Sequence, residues 1–128
     1  GDWSSDVCSS DLLLVEDNNI NQLLIKTILE EMGTVVTICS NGQEAIDIIN
    51  DGKLNFDIVL MDIQMPVMDG MTALRILRGQ GYKKTVIALT ANCSEEDKTQ
   101  CLENGFDMFL SKPIESSKLR LALHSARI

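Results

Sequence analysis

Apolar and polar positions along the chain follow two patterns in turn. Short, nearly continuous apolar runs, such as LLLV at residues 12–15 and IVLM at residues 58–61, have the length and composition of strands buried on both faces. The segments between such runs carry apolar residues at helical spacing, which in the first segment are Ile20, Leu23, Leu24, Ile28 and Met32. The predicted strands are residues 12–15, 34–40, 57–62, 84–91 and 107–113, and the predicted helices are residues 20–32, 42–51, 72–78, 94–104 and 115–126.

This alternation predicts an α/β fold with one parallel sheet, because parallel strands need crossover helices that cover both faces of the sheet. Right-handed crossovers and the chain length favour the flavodoxin-like, doubly wound (βα)5 arrangement, with a five-stranded parallel sheet in the order 2-1-3-4-5. A closed eight-stranded barrel would need about twice the chain. We therefore expect a ligand site beyond the carboxyl ends of strands 1 and 3, where the winding reverses.

The composition is that of an ordinary globular domain and argues against several kinds of partner. Hydrophobic residues make up 45% and charged residues 23% of the 128 residues. A net charge of −8 and an aromatic content of 4% argue against nucleic acid, and no apolar run approaches the about 20 residues of a membrane span. Cys39, Cys93 and Cys101 form no C-x-x-C pair, which argues against zinc and favours reduced thiols in a cytoplasmic protein.

The first eleven residues, GDWSSDVCSSD, follow neither period, and we expect residues 1–11 to be a non-native segment. They lack the basic start and apolar middle of a signal peptide. From Asp2 to Leu12 the sequence resembles the conceptual translation of a common sequencing-library adapter, and the alternative is a natural flexible tail. Without Asp2, Asp6 and Asp11 the acidic count falls from 19 to 16 against 11 basic residues, a net charge of −5.

Acidic side chains stand at the ends of two strands that the predicted order makes neighbours. Glu16 and Asp17 follow strand 1, and Asp62 ends strand 3. We therefore expect the three carboxylates to lie within a few ångströms of one another. Such a cluster needs a cation to stay ionised, and hard oxygen ligands with room for water and phosphate suit Mg²⁺, for which Mn²⁺ can substitute.

Strands 4 and 5 add a hydroxyl and an ammonium group at the same edge of the sheet, because Thr90 ends strand 4 and Lys112 follows strand 5. A carboxylate nucleophile, a divalent cation, a hydroxyl and an ammonium group are the parts needed to place a phosphoryl group on Asp62. Taken singly, each has an ordinary alternative. Asp62 can be a turn or cap residue, Thr90 a β-branched strand residue and Lys112 a solvated lysine. Their convergence favours the phosphoacceptor.

Four ordered motifs resemble those of the response-regulator receiver domain, the phosphoacceptor module of two-component signalling. They are VEDN at 15–18, VLMDIQMPVMDG at 59–70, ALTA at 88–91 and LSKP at 110–113. The resemblance covers Leu12 to Ala126, so we expect residues 12–128 to form one receiver domain. The motifs VEDNxxNQ and ALTAN are most similar to those of receivers attached to hybrid sensor histidine kinases.

The resemblance implies a role for each matching residue. Asp62 is the expected phosphorylation site. Glu16 and Asp17 are expected to hold Mg²⁺ directly or through water. Thr90 and Lys112 are expected to contact the phosphoryl oxygens. Glu16 stands where an aspartate is often found, and its longer side chain favours a contact through water.

Further roles come from the same resemblance. The backbone carbonyl of Gln64 is an expected metal ligand, and the peptide bond before Pro113 is expected to be cis. Phe109 takes the position of the switch aromatic and is expected to move when Thr90 is drawn toward the phosphoryl group. The fourth and fifth helices and strand 5 would then present an altered face to a partner. Gln64 and Asn92 flank the site and are expected to set the lifetime of the phosphoaspartate.

The resemblance also implies the partner, a histidine kinase or a histidine phosphotransfer domain whose phosphohistidine supplies the phosphoryl group. A homodimer formed on phosphorylation is a further expectation. The domain would then be cytoplasmic, alone or as the cytoplasmic part of a membrane-bound hybrid kinase, without membrane contacts of its own and without enzyme activity beyond slow autodephosphorylation.

Two other functions stay open at this point. One is a receiver-like docking module that is never phosphorylated. The other is a small aspartyl-phosphate phosphatase, which Gln64 disfavours because such enzymes usually have a second aspartate at that position. A flavodoxin-like cofactor site is disfavoured as well, since the loop after strand 1 is acidic and would repel phosphate.

Overall fold

A parallel sheet forms the centre of the molecule. The computed structural model describes residues 11–52, 56–63, 68–90, 95–112 and 114–127, apart from the side chains of Asp97 and of residues 124–127. The strands in these residues are β1 (Asp11–Val15), β2 (Val35–Cys39), β3 (Ile58–Asp62), β4 (Thr85–Thr90) and β5 (Met108–Ser111). All neighbours are parallel, in the order β2-β1-β3-β4-β5. The predicted fold class and strand order are confirmed.

A helix follows each strand in the described part of the chain. These helices are α1 (Asn19–Glu31), α2 (Gly42–Asp51), α3 (Gly70–Gly79), α4 (Glu95–Glu103) and α5 (Ser116–Arg127). Their ends differ from the prediction by no more than two residues. Helix α3 begins earlier than predicted because Oδ1 of Asp69 accepts a hydrogen bond of 2.8 Å from the backbone N–H of Thr72 and caps the helix.

Two apolar cores lie on opposite faces of the sheet. One face packs against α2, α3 and α4, and the other packs against α1 and α5. Successive residues of β3 alternate between them. Val59 and Met61 face the first core, whereas Ile58 and Leu60 face the second. This double cover explains why the central strands carry nearly continuous apolar runs.

Helix α1 buries only part of its apolar residues. Its buried side chains are Ile25, Ile28 and Leu29, with Met32 at the margin of the core. The predicted apolar positions in its first half are instead exposed, by 77% at Ile20, 67% at Leu23 and 44% at Leu24. About 100° of rotation per residue places these three on the side of the helix away from the sheet. The apolar spacing therefore describes two separate surfaces.

Strand β1 begins one residue before the predicted first strand. Asp11 opens β1, its backbone N–H donates to Oδ2 of Asp57 at 3.1 Å, and the N–H of Asp57 donates to the carbonyl of Asp11 at 2.8 Å. Apart from Asp11, the predicted non-native segment lies outside the described residues.

The two described cysteines, Cys39 and Cys101, are buried in the core as thiols and not as a disulfide. Burial, followed by the negative charge of Glu44, raises the pKa of Cys39 to about 12. Both thiols are thus shielded from reaction at neutral pH. Cys93 lies outside the described residues.

Over the ranges that the structure describes, no helix has both the length and the apolar character that crossing a membrane requires.

Candidate functional site

The predicted site residues gather at the carboxyl edge of the sheet because its backbone ladder extends one residue past the strand ends. The N–H of Glu16 donates to the carbonyl of Cys39 at 3.1 Å, and the N–H of Lys112 donates to the carbonyl of Thr90 at 2.8 Å. Asp62 is the last residue of β3, between β1 and β4. Residues from β1, β3, β4 and β5 are therefore held at one edge by the sheet itself.

Three carboxylates converge there, as the strand order predicts. Glu16, Asp17 and Asp62 each offer one oxygen, and these oxygens lie within 4.8 Å of one another. Glu16 is fully buried and Asp62 is 3% exposed, whereas Asp17 is exposed to solvent. The cluster is thus closed on the side of the sheet and open on the side of Asp17.

Lys112 reaches across the end of β4 into this cluster. Its Nζ lies 2.6 Å from Oδ2 of Asp62 and 3.1 Å from Oε2 of Glu16, and its side chain is 21% exposed. The alternative of a solvated surface lysine is therefore wrong. The ammonium group neutralises one of three neighbouring carboxylates, which leaves an excess of negative charge for a further cation.

Electrostatics keep this lysine and the buried glutamate charged. Burial lowers the pKa of Lys112, but hydrogen bonds to Asp62 and Glu16 and their negative charges raise it above its ordinary value. Burial raises the pKa of Glu16. Hydrogen bonding with Asp62, Asn21 and Lys112, together with the lysine charge, outweighs this effect and holds the pKa of Glu16 below its ordinary value. A buried ion pair is thus maintained beside Asp62 at neutral pH.

Two further polar residues hold Glu16, and the sequence prediction missed both. Nδ2 of Asn21 donates to Oε1 of Glu16 at 3.0 Å, and Nε2 of Gln22 donates to the backbone carbonyl of Glu16 at 2.5 Å. Both stand on the first turn of α1, which Asn18 caps by accepting from the N–H groups of Ile20 and Asn21. The sequence signal for them was the pair Asn21-Gln22, two adjacent amide side chains in the first turn of the helix that follows the acidic pair.

A close approach of backbones places the start of α3 against Asp62. The N–H of Gly70 donates to the carbonyl of Ile63 at 2.9 Å. A Cβ atom at Gly70 would overlap the backbone oxygen of Asp62 and lie 3.0 Å from Cα of Ile63. Only glycine lets α3 begin this near to the end of β3.

Thr90 lies beside the cluster, and Phe109 lies two residues further down the sheet. Thr90 is 8% exposed and pairs in register with Ser111, while Phe109 pairs with Ala88. The half-buried ring of Phe109 has the ammonium group of Lys98 at 5.5 Å from its centroid. It lines a groove of about 460 Å³ between α4, β5 and α5, together with Lys98, Leu110, Ser111, Lys118, Leu121 and Ala122.

The oxygen ligands of the cluster fit a hard divalent cation such as Mg²⁺. Asp17 is the exposed member of the cluster, whereas both oxygens of Glu16 accept hydrogen bonds from Lys112. The predicted roles of Gln64, Asn92 and Pro113 concern positions outside the described residues and stay predictions.

Comparison with known families and proteins agrees with this site. Residues 12–124 match the family model of the response regulator receiver domain. Histidine kinase 5 of Arabidopsis thaliana is 36% identical over a region that covers 88% of this chain and 15% of that protein. Two-component response regulator 24 of the same plant is 35% identical, covering 88% of this chain and 80% of that protein. The chain thus spans a small part of the one relative and most of the other.

Solved structures give the same result. The receiver domain of sensor histidine kinase PA1611 from Pseudomonas aeruginosa, with a magnesium ion coordinated in its active site cleft, superposes with a TM-score of 0.81. It is 35% identical, and the match covers 91% of this chain and 96% of that one. The receiver domain of Ssk1 from Saccharomyces cerevisiae, in complex with the histidine phosphotransfer protein Ypd1, has a TM-score of 0.82 and 28% identity, covering 91% and 88%.

Proposed function

The chain belongs to the response-regulator receiver domains, and from this membership we propose that Asp62 accepts a phosphoryl group from a phosphohistidine in a Mg²⁺-dependent reaction. The observation that carries the proposal is the position of Asp62 itself. Its buried carboxylate stands within 4.8 Å of two other acids and 2.6 Å from the ammonium group of Lys112. An acceptor needs this combination of a held carboxylate and nearby positive charge.

The proposed transfer is an in-line displacement. One Oδ atom of Asp62 forms a bond to phosphorus while the bond from phosphorus to the imidazole nitrogen of the donor breaks, and the electron pair of that bond stays on the imidazole. Lys112 is then placed to donate hydrogen bonds to the negatively charged phosphoryl oxygens, in place of the Asp62 oxygen that it now contacts. Thr90, at the end of the adjacent strand, donates its hydroxyl to the same oxygens.

Mg²⁺ would be held by Asp17 and Asp62, with Glu16 acting through water, because Glu16 is engaged by Asn21 and Lys112. When bound, the ion supplies positive charge for the oxygens that gain charge during transfer. The carbonyl of Gln64 is a further proposed ligand, and Mn²⁺ can substitute since it accepts the same oxygen donors.

The phosphoryl donor is proposed to be a histidine kinase or histidine phosphotransfer domain that docks on α1. Ile20, Leu23 and Leu24 form an exposed apolar surface on this helix, which begins two residues after Asp17. A phosphohistidine can reach Asp62 only if its own domain packs on the rim of the site, and among the described residues this apolar surface is the part of the rim best suited to such packing.

Phosphorylation is proposed to change the face formed by α4, β5 and α5. Movement of Thr90 toward the phosphoryl group would free space for the half-buried ring of Phe109, which lines the groove on that face. The altered face would bind another protein or a second copy of the chain. No turnover beyond slow hydrolysis of the phosphoaspartate is proposed, because Gln64 stands where aspartyl-phosphate phosphatases need an acid.

The experiment is incubation with Mg²⁺ and acetyl phosphate, followed by intact mass measurement. One added phosphoryl group is expected in the wild type, and none is expected in Asp62→Asn or with EDTA. Asp69→Asn is the matched control, because Asp69 is an exposed helix cap and asparagine caps equally well. A wild type that stays unmodified, or an Asp62→Asn variant that is still modified, would refute the proposal and favour a docking module.

A further inference from the structure

Glu16 is fully buried, so its carboxylate needs hydrogen-bond donors on both oxygens. Lys112 supplies a donor to each oxygen, at 3.1 Å to Oε2 and 3.4 Å to Oε1. The shorter contact to Oε1 comes from Nδ2 of Asn21 at 3.0 Å. Asn21 is thus the main donor to the oxygen that the lysine holds least well.

Building on the proposed function, we propose that Asn21 is a positioning residue for the cation site, which acts by fixing the orientation of the Glu16 carboxylate. The amide of Asn21 reaches the site through its hydrogen bond to Glu16, and Glu16 shares Lys112 with Asp62. The orientation of one carboxylate therefore sets where the ammonium group lies relative to the next.

The chemistry of the donor matters as well as its position. An amide satisfies Oε1 without adding positive charge, so it does not repel a divalent cation as a second lysine would. Without the amide, Oε1 of Glu16 keeps its 3.4 Å contact with Lys112. The ammonium group would be drawn into the cluster, where it competes with the cation for the same negative charge.

The backbone of this turn supports the assignment. Asn18 caps α1 and fixes its first turn, and Gln22 binds the carbonyl of Glu16 from the same turn. The amide of Asn21 is therefore presented to Glu16 by a helix that is tied to the residue it orients. Such partners of ligating carboxylates typically change metal affinity by about 10- to 100-fold when removed.

The test compares Asn21→Ala and Asn21→Leu, which remove the donor with and without loss of volume, with Asn19→Ala on the same helix turn. Asn19 is exposed, and the described residues show it no side-chain contact with Glu16. Calorimetric titration of the unphosphorylated protein gives the Mg²⁺ dissociation constant. Phosphorylation by acetyl phosphate at increasing Mg²⁺ then gives the half-saturating concentration and the maximal rate.

Both Asn21 variants are expected to weaken Mg²⁺ binding about 10-fold and to raise the half-saturating concentration by the same factor, with the maximal rate near that of the wild type. Asn19→Ala is expected to match the wild type. Unchanged Mg²⁺ affinity in both Asn21 variants would overturn the inference. If these variants also had a lower melting temperature in EDTA, the role of Asn21 would be structural only. Failure of wild-type phosphorylation would instead refute the proposed function. The two failures are distinguishable, because Mg²⁺ affinity is measured on the unphosphorylated protein.

Discussion

Nζ of Lys112 lies 2.6 Å from Oδ2 of Asp62, although 50 residues separate the two in sequence. The same ammonium group contacts Glu16, which is 96 residues away. One cation at the end of β5 thus joins acids at the ends of β1 and β3. It holds the negative charge of Asp62 in place, and under the proposed function it already lies where the charge of a phosphoryl group would appear.

Lys112→Met is expected to change phosphorylation and metal binding in opposite directions. Loss of the ammonium group removes a donor for the phosphoryl oxygens, so the phosphorylation rate at saturating Mg²⁺ should fall about 100-fold. The uncompensated carboxylates should bind Mg²⁺ more tightly than in the wild type. Acetyl phosphate kinetics and Mg²⁺ calorimetry measure the two effects.

Lys118→Met is the control for this substitution, since Lys118 is exposed and its ion pair with Glu115 spans 3.9 Å. It should leave both quantities unchanged. Weaker Mg²⁺ binding in Lys112→Met would mean that the lysine supports the cation site instead of competing with it.

Two glycines of α3 should respond to alanine in opposite ways. Gly70→Ala places a Cβ against the backbone of Asp62, which cannot yield, and should cost about 1–3 kcal/mol of stability and slow phosphorylation. At Gly79 an added Cβ meets no described atom within 4 Å, so Gly79→Ala should stabilise the protein by up to about 1 kcal/mol. Urea unfolding measures both. Equal effects at the two positions would argue against a close approach at Gly70.

The exposed surface of α1 should matter to a protein donor and not to a small one. Leu23→Arg puts a charge on the proposed docking surface and should slow transfer from a phosphorylated histidine phosphotransfer domain at least 10-fold, a loss of about 1.4 kcal/mol. The rate with acetyl phosphate should stay as in the wild type, because Leu23 lies outside the carboxylate cluster.

Leu102→Arg on α4 serves as the matched control, since Leu102 is also exposed, by 52%. It should leave transfer from the protein donor unchanged. If both variants, or neither, slowed that transfer, the docking surface would have to be sought elsewhere.

The buried thiol of Cys39 predicts a loss of stability at alkaline pH. Its pKa of about 12 in the folded protein lies above the ordinary value of 9.0, mainly because of burial. The unfolded state therefore loses this proton first. The contribution of this thiol to the free energy of unfolding is fully present below pH 9.0. It declines as the pH rises toward 12, by at most about 1.4 kcal/mol per pH unit.

Cys39→Ala removes this titration, so its stability should fall less steeply than that of the wild type between about pH 9 and pH 11, whatever its offset at neutral pH. Urea unfolding at several pH values gives the two slopes. Parallel slopes would show that the thiol does not resist ionisation in the folded state.

The carboxylate cluster was predictable because strand order alone brings its members together. Asp62 ends a strand, Glu16 and Asp17 follow its neighbour, and a parallel sheet delivers all of them to one edge. The double contact of Lys112 was harder to predict from the sequence, because it depends on a long side chain that reaches past β4.

The contact of Asn21 with Glu16 and the exposure of Leu23 depend on how far α1 is rotated about its own axis. Apolar spacing did not reveal that rotation, because two apolar sets share this helix. The side of the helix that packs on the sheet is decided by Ile25, Ile28 and Leu29 together, which requires the packed structure.

The most direct measurement of the central claim is a crystal structure of the protein grown with Mg²⁺ and beryllium trifluoride, a stable mimic of a phosphoryl group. We expect the beryllium group bonded to a carboxylate oxygen of Asp62 and contacted by Lys112, with Mg²⁺ about 2.1 Å from oxygens of Asp17 and Asp62. A beryllium group attached elsewhere, or Mg²⁺ bound away from these two acids, would contradict the account.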